Sequence, residues 1–114
     1  MTAPTTAPTA RAWTDVAAEA DLRDDDVIGV QAGGHDIALY RLHGETFATD
    51  NRCTHGDARL CDGFLLDGEI ECPLHQGRFD IRSGRALCEP LTADVRAWPV
   101  KIEGGRVWVA LDAT

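Results

Sequence analysis

Two short segments, Cys53-Thr54-His55-Gly56 and Cys72-Pro73-Leu74-His75-Gln76-Gly77, constrain this chain more than any other feature. Each supplies one thiol and one imidazole, and sixteen residues separate His55 from Cys72. Cysteine binds a soft metal as its thiolate, and histidine binds through a neutral ring nitrogen. Four such ligands close one metal ion or one binuclear cluster. The fold must therefore bring two separate loops face to face.

At 114 residues the chain has room for one domain, expected over residues 11–114, and not for two. Nineteen acidic against eleven basic side chains give a formal charge of −8. That balance disfavours nucleic acid and anionic membranes, and it suits a partner with a basic docking patch. No apolar run approaches the roughly 20 residues of a membrane span. The start, Met1-Thr2-Ala3-Pro4-Thr5-Thr6-Ala7-Pro8, lacks the basic and apolar parts of a signal peptide. Residues 1–10 are expected to form a disordered tail rich in Pro and Thr. A cytoplasmic chain follows, in which paired cysteines more often mean metal than disulfide. Cys61 and Cys88 have no His at ligand spacing and are expected to be buried, reduced thiols.

Short β-rich runs separated by Gly, Asn and Asp dominate the chain. Val27-Ile28-Gly29-Val30 and Ile37-Ala38-Leu39-Tyr40-Arg41-Leu42 flank Gly33-Gly34, a hairpin signal. His43-Gly44-Glu45 is the next turn, followed by the strand Thr46-Phe47-Ala48-Thr49. Residues 93–103 and 106–111 should form a second hairpin across Gly104-Gly105. Only Val16-Ala17-Ala18-Glu19-Ala20-Asp21-Leu22 is a candidate to curl. The fold class is all-β: an antiparallel sandwich or barrel base, with a smaller sheet inserted at about residues 51–90 that carries both ligand loops.

Zinc is the first alternative for two Cys and two His. Zinc sites favour Cys-x2–4-Cys paired with His-x3–5-His, so that like ligands share a turn. Here each loop mixes one of each, which suits a [2Fe–2S] cluster with two Cys on one iron and two His on the other. Gly56 and Gly77 let main chain pass close to inorganic sulfide, and Pro73 stiffens the second loop.

Cys53-Thr54-His55-Gly56-Asp57-Ala58-Arg59-Leu60 and Glu71-Cys72-Pro73-Leu74-His75-Gln76-Gly77-Arg78-Phe79-Asp80 resemble the ligand loops of Rieske ferredoxins. The likeness is to the ferredoxin components of bacterial aromatic-ring-hydroxylating dioxygenases of the naphthalene dioxygenase type. It extends through Gly84-Arg85-Ala86-Leu87-Cys88-Glu89-Pro90 and Trp98-Pro99-Val100-Lys101-Ile102-Glu103. The resemblance implies the Rieske fold and one [2Fe–2S] cluster, with Cys53 and Cys72 on the inner iron and His55 and His75 on the solvent-facing iron. In the high-potential relatives of respiratory complexes a disulfide ties the two loops, at positions that are Ala58 and Leu74 here. Those relatives also place Ser and Tyr hydroxyls near cluster sulfur, where this chain has Gly77 and Phe79. The missing donors and the acids Asp57, Asp62 and Asp80 imply a potential low in the Rieske range.

The implied function is one-electron transfer. A flavin reductase using NAD(P)H supplies the electron, and the Rieske centre of a terminal aromatic-ring oxygenase receives it. Asp57 is a candidate to steer docking, and Gln76 and Arg78 flank His75. The chain is not expected to be the oxygenase. Oxygen activation needs a mononuclear iron on two His and a carboxylate, and the two histidines left, His35 and His43, sit in expected turns as exposed surface residues. A small subunit of a reductase such as nitrite reductase, and a redox-inert zinc module, are the rival readings. A free monomer best suits a shuttle that alternates partners. The aromatic substrate and the identity of the reductase are not written in the chain.

Overall fold

Four two-residue turns set the register of the sheets. In His43-Gly44 and Asp67-Gly68 both residues hold positive φ, 51° and 77° in one and 51° and 81° in the other. This is the mirror-image turn whose twist matches that of paired strands, and it is why Gly takes the second place in both. Gly33-Gly34 and Gly104-Gly105 form the other two turns of this kind.

The computed structural model describes residues 12–54, 56–74, 77–88 and 93–111. The tail at 1–10 and His55, His75, Gln76, Glu89 and Pro90 lie outside the described residues. Ten strands are described: β1 Trp13–Ala18, β2 Asp26–Ala32, β3 His35–Leu42, β4 Glu45–Asp50, β5 Phe64–Leu66, β6 Glu69–Glu71, β7 Arg78–Asp80, β8 Ala97–Trp98, β9 Val100–Glu103 and β10 Arg106–Ala110. They form three antiparallel sheets, ordered β1-β10-β9, β2-β3-β4-β8 and β5-β6-β7. The all-β class and the hairpins across Gly33-Gly34 and Gly104-Gly105 stand as the sequence implies. The third sheet lies wholly between the two ligand loops and just after them. Among the described residues no helix is long and apolar enough to cross a membrane.

The run Ile37-Ala38-Leu39-Tyr40 explains how two cores share one strand. All four side chains are buried, and successive residues of a strand point to opposite faces. Ala38, Tyr40 and Leu42 join a core with Cys53, Cys72, Ile70 and Phe79. Ile37 and Leu39 join a second core with Ala48, Trp98, Val107 and Val109. β3 is thus the wall between the ligand-loop region and the base of the molecule.

Two expectations need correction. Residues 93–103 do not form one strand: β8 pairs with β4, whereas β9 pairs with β10 in another sheet. Pro99, which has no N–H to offer a ladder, stands at the switch, and its carbonyl accepts the Ala110 amide at 3.1 Å. Val95 lies before β8, its amide donating to the Gly84 carbonyl at 2.9 Å. The stretch from Val16 does not curl as a whole: Val16 to Ala18 extend in β1, and only Glu19–Asp21 coil into one 3-10 turn.

Candidate metal centre

Both ligand loops close in the same way. The Cys53 amide donates to the Ala58 carbonyl at 2.9 Å, and the Cys72 amide donates to the Gly77 carbonyl at 2.8 Å. In each case the acceptor lies five positions beyond the cysteine. Outside that bond, Arg52 bridges Arg59 around the first loop, and Glu71 pairs with Arg78 around the second. The faint echo between the two motifs in sequence is therefore a repeated structural unit, with the thiol at the first position of each loop.

The repeat brings the thiols together. Cys53 is 3% exposed and Cys72 is 1% exposed, both in the core shared with Ile70 and Phe79. Burial pushes the Cys72 thiol up to about 11, and a hydrogen bond with the Cys53 thiol reinforces the shift. Two adjacent, desolvated thiols suit a pair of thiolates on one iron, and a metal that binds them must displace their protons. Among the described residues no third His, Cys, Asp or Glu completes a metal-binding group with them. His55 and His75, the remaining expected ligands, lie outside the described residues. A Cβ added at Gly56 would meet no described atom within 4 Å, so the first loop keeps open space beside it.

The loops are fastened differently. The second is the end of the β6–β7 hairpin. The first is held by side chains, with the Thr54 hydroxyl donating to the Ala93 carbonyl at 2.7 Å. Asn51, fully buried, uses every polar group it has. Its amide donates to the Asp36 carbonyl at 2.9 Å, and its carbonyl accepts the Leu60 amide at 2.6 Å. Its Oδ1 accepts the Cys61 amide at 2.8 Å, and its Nδ2 donates to Asp36 Oδ1 at 3.1 Å and faces Cys61 Sγ at 3.2 Å. The Arg59 guanidinium grips the Asp36 carboxylate from the other side, at 2.9 and 3.1 Å. That grip holds the Asp36 carboxyl below its ordinary value.

Residues around the loops meet some expectations and depart from others. Asp57 is not a free acid, because it pairs with Arg52 on the surface. Arg78 is exposed and pairs with Glu69 at 3.3 Å. His35 is half-buried, its ring edge-on to Trp98 with centroids 4.9 Å apart; His43 is exposed. Cys61 and Cys88 are free thiols but only partly buried, because neither side chain belongs to either core. Asn51 escaped the sequence reading, which took it as a boundary. Its one signal was an Asn directly after a strand and two residues before a ligand, a place where side chain–backbone bonds are common.

Known proteins share this arrangement. Residues 12–99 match the Rieske [2Fe-2S] domain. The chain is 56% identical over 100 residues to the ferredoxin component of the naphthalene 1,2-dioxygenase/salicylate 5-hydroxylase systems of Ralstonia sp, covering 88% of this chain and 96% of that protein. It is 56% identical over 99 residues to the naphthalene 1,2-dioxygenase ferredoxin component of Pseudomonas aeruginosa, covering 87% of this chain and 95% of the relative. A solved complex of reduced oxygenase and oxidized ferredoxin in carbazole 1,9a-dioxygenase contains a chain that superposes with a TM-score of 0.84 at 32% identity, covering 92% of this chain and 98% of that one. Two buried thiols on matched loops, set in the same fold and over nearly the same length, leave no ambiguity of kinship: the chain belongs to the Rieske [2Fe–2S] domain family.

Proposed function

We propose that Cys53 and Cys72 hold one iron of a [2Fe–2S] cluster, that His55 and His75 hold the other, and that the chain carries single electrons from an NAD(P)H-dependent flavin reductase to the Rieske centre of a terminal aromatic-ring oxygenase. The observation that carries the ligand assignment is the meeting of the Cys53 and Cys72 thiols at equivalent positions of two equally closed loops. When bound, the cluster supplies a one-electron couple.

The chain's own residues do the rest. Cys53 and Cys72 anchor the metal in a core that excludes water. The bonds Cys53 to Ala58 and Cys72 to Gly77 hold each loop in shape in either redox state, which limits reorganisation on electron transfer. Leu74, 43% exposed in the second loop, offers an apolar contact beside His75 to a docking partner. The net charge of −8 favours partners that present basic patches. The ligand loops and the sheet β5-β6-β7 act as a cluster-binding subdomain at about residues 51–90. The working form is a cytoplasmic monomer.

The test begins with EPR of the dithionite-reduced protein and metal analysis of the same sample. A rhombic signal of mixed His/Cys ligation with about two irons per chain is expected. A silent spectrum with one zinc per chain would promote the zinc module. Stopped-flow mixing with a flavin reductase and a ring-hydroxylating oxygenase of the naphthalene type then tests the route, and both rates should fall as salt rises.

A further inference from the structure

The two ligand loops are equivalent in closure but not in attachment, and the difference falls on one buried amide. The second loop inherits its position from the backbone ladder of β6 and β7. The first follows the end of β4, and its return leg from Arg59 onward is one isolated bridge and a 3-10 turn, Leu60–Asp62. Asn51 spans the mouth of that loop. Its carbonyl and Oδ1 take the Leu60 and Cys61 amides of the return leg, and its Nδ2 reaches back to Asp36 on β3.

We propose that Asn51 is the positioning residue for the first thiolate: with Asp36 and Arg59 it fixes where Cys53 stands relative to Cys72, and its latch limits how often the first loop opens and lets iron go. The proposal rests on the ligand assignment above. The physical ground is that an amide buried with every polar atom bonded leaves its partners unsatisfied when it is changed. The bond a side-chain change removes is the one from Nδ2 to Asp36, which ties the mouth of the first loop to β3; its loss loosens the first loop while leaving the second untouched. Asp36 matters as the far anchor, since Arg59 alone grips it from the solvent side.

The test uses the iron-loaded full chain and four variants. Asn51→Asp keeps the acceptor for the Cys61 amide and replaces the donor to Asp36 by a like charge. Hydrogen exchange over residues 51–61 should rise about tenfold, with exchange over residues 70–80 unchanged. Iron release to a chelator should accelerate about as much, and the EPR g values should shift. Adding Asp36→Asn to Asn51→Asp swaps amide and carboxylate, restores a donor–acceptor pair, and should return all three readouts towards the parent. Val107→Ala, a cavity in the second core, should lower Tm without separating the two loops in exchange. If Asn51→Asp does not load iron, Arg59→Ala takes its place and should move the same readouts in the same direction, less far. Equal acceleration in both loops overturns the proposal, as does faster exchange at 51–61 with unchanged g values and iron release. Hydrogen exchange can be read whichever metal is bound, and each variant is compared with its own parent, so a parent protein that held zinc would fail the ligand assignment while still reporting on the latch.

Discussion

Gly84 and Val95 meet backbone to backbone: Val95 donates its amide to Gly84, while the Gly84 amide donates to the Asp80 carbonyl at 2.7 Å. The Val95 amide donates to the Gly84 carbonyl at 2.9 Å, and a Cβ on Gly84 would collide with the Val95 carbonyl. Gly84 also holds φ of +77°. Gly84→Ala therefore faces both a clash and a left-handed backbone, and should cost more than about 2 kcal/mol. Chemical denaturation of the parent and variant checks this, and an unchanged midpoint would refute it.

Tyr40 is fully buried and its hydroxyl lies 2.8 Å from Thr49 Oγ1, which itself donates to the Asp50 carbonyl. Tyr40 must then be the donor in the first bond. Tyr40→Phe removes that donor and leaves Thr49 bonded, so the expected loss is about 0.5–1.5 kcal/mol. Thr49→Val should cost more, because it strands the buried Tyr40 hydroxyl. Thermal unfolding of both variants orders the two losses.

The Asp36 carboxyl is held below its ordinary value of 3.8, chiefly by the hydrogen bond from Arg59. A carboxyl depressed in the folded state contributes stability that is present above its unfolded value and is lost as pH falls through the folded one. The Asp36–Arg59 pair should therefore do nothing to the pH dependence around neutrality and should steepen acid unfolding below about pH 4. Arg59→Ala should move the acid midpoint upward, followed by the fluorescence of the three tryptophans; an identical acid limb would count against the assignment.

The resemblance implies that Gly77 and Phe79 stand where high-potential Rieske proteins place hydroxyls. Both are buried beside the cysteine core. Gly77→Ser and Phe79→Tyr each offer a new donor near cluster sulfur, which favours the reduced, more negative state. One hydrogen bond of ordinary strength corresponds to a rise of roughly 20–65 mV for a one-electron couple. Film voltammetry reads the shift, and no rise in either variant would defeat the expectation that missing hydroxyls hold the potential low.

Much of this was legible because the informative residues are local. Gly33-Gly34 and His43-Gly44 fix their turns with neighbours alone, and the two Cys-His loops announce themselves by spacing. What escaped depends on contacts far apart in the chain. The break of residues 93–103 into two strands follows from β8 meeting β4, a pairing of Ala48 with Trp98 that no local pattern encodes. His35 looks like a turn residue until Trp98 arrives beside it. Asn51 looks like punctuation until the amides of Leu60 and Cys61 converge on it. Asp57 is a docking candidate in the sequence, and the fold sets its carboxylate against Arg52 across the first loop.

The pairing of Trp13 with Ala110 brings the first and last described strands side by side in a sheet that carries neither ligand loop. Topologically the domain is almost a ring. A short linker joining these neighbouring strands, with the chain reopened at Gly33-Gly34, would keep every sheet and both thiols in place. For the same reason a domain grafted at Trp13 or at Ala110 would start from one common edge of the described fold, so the choice between the two points should matter little to its reach.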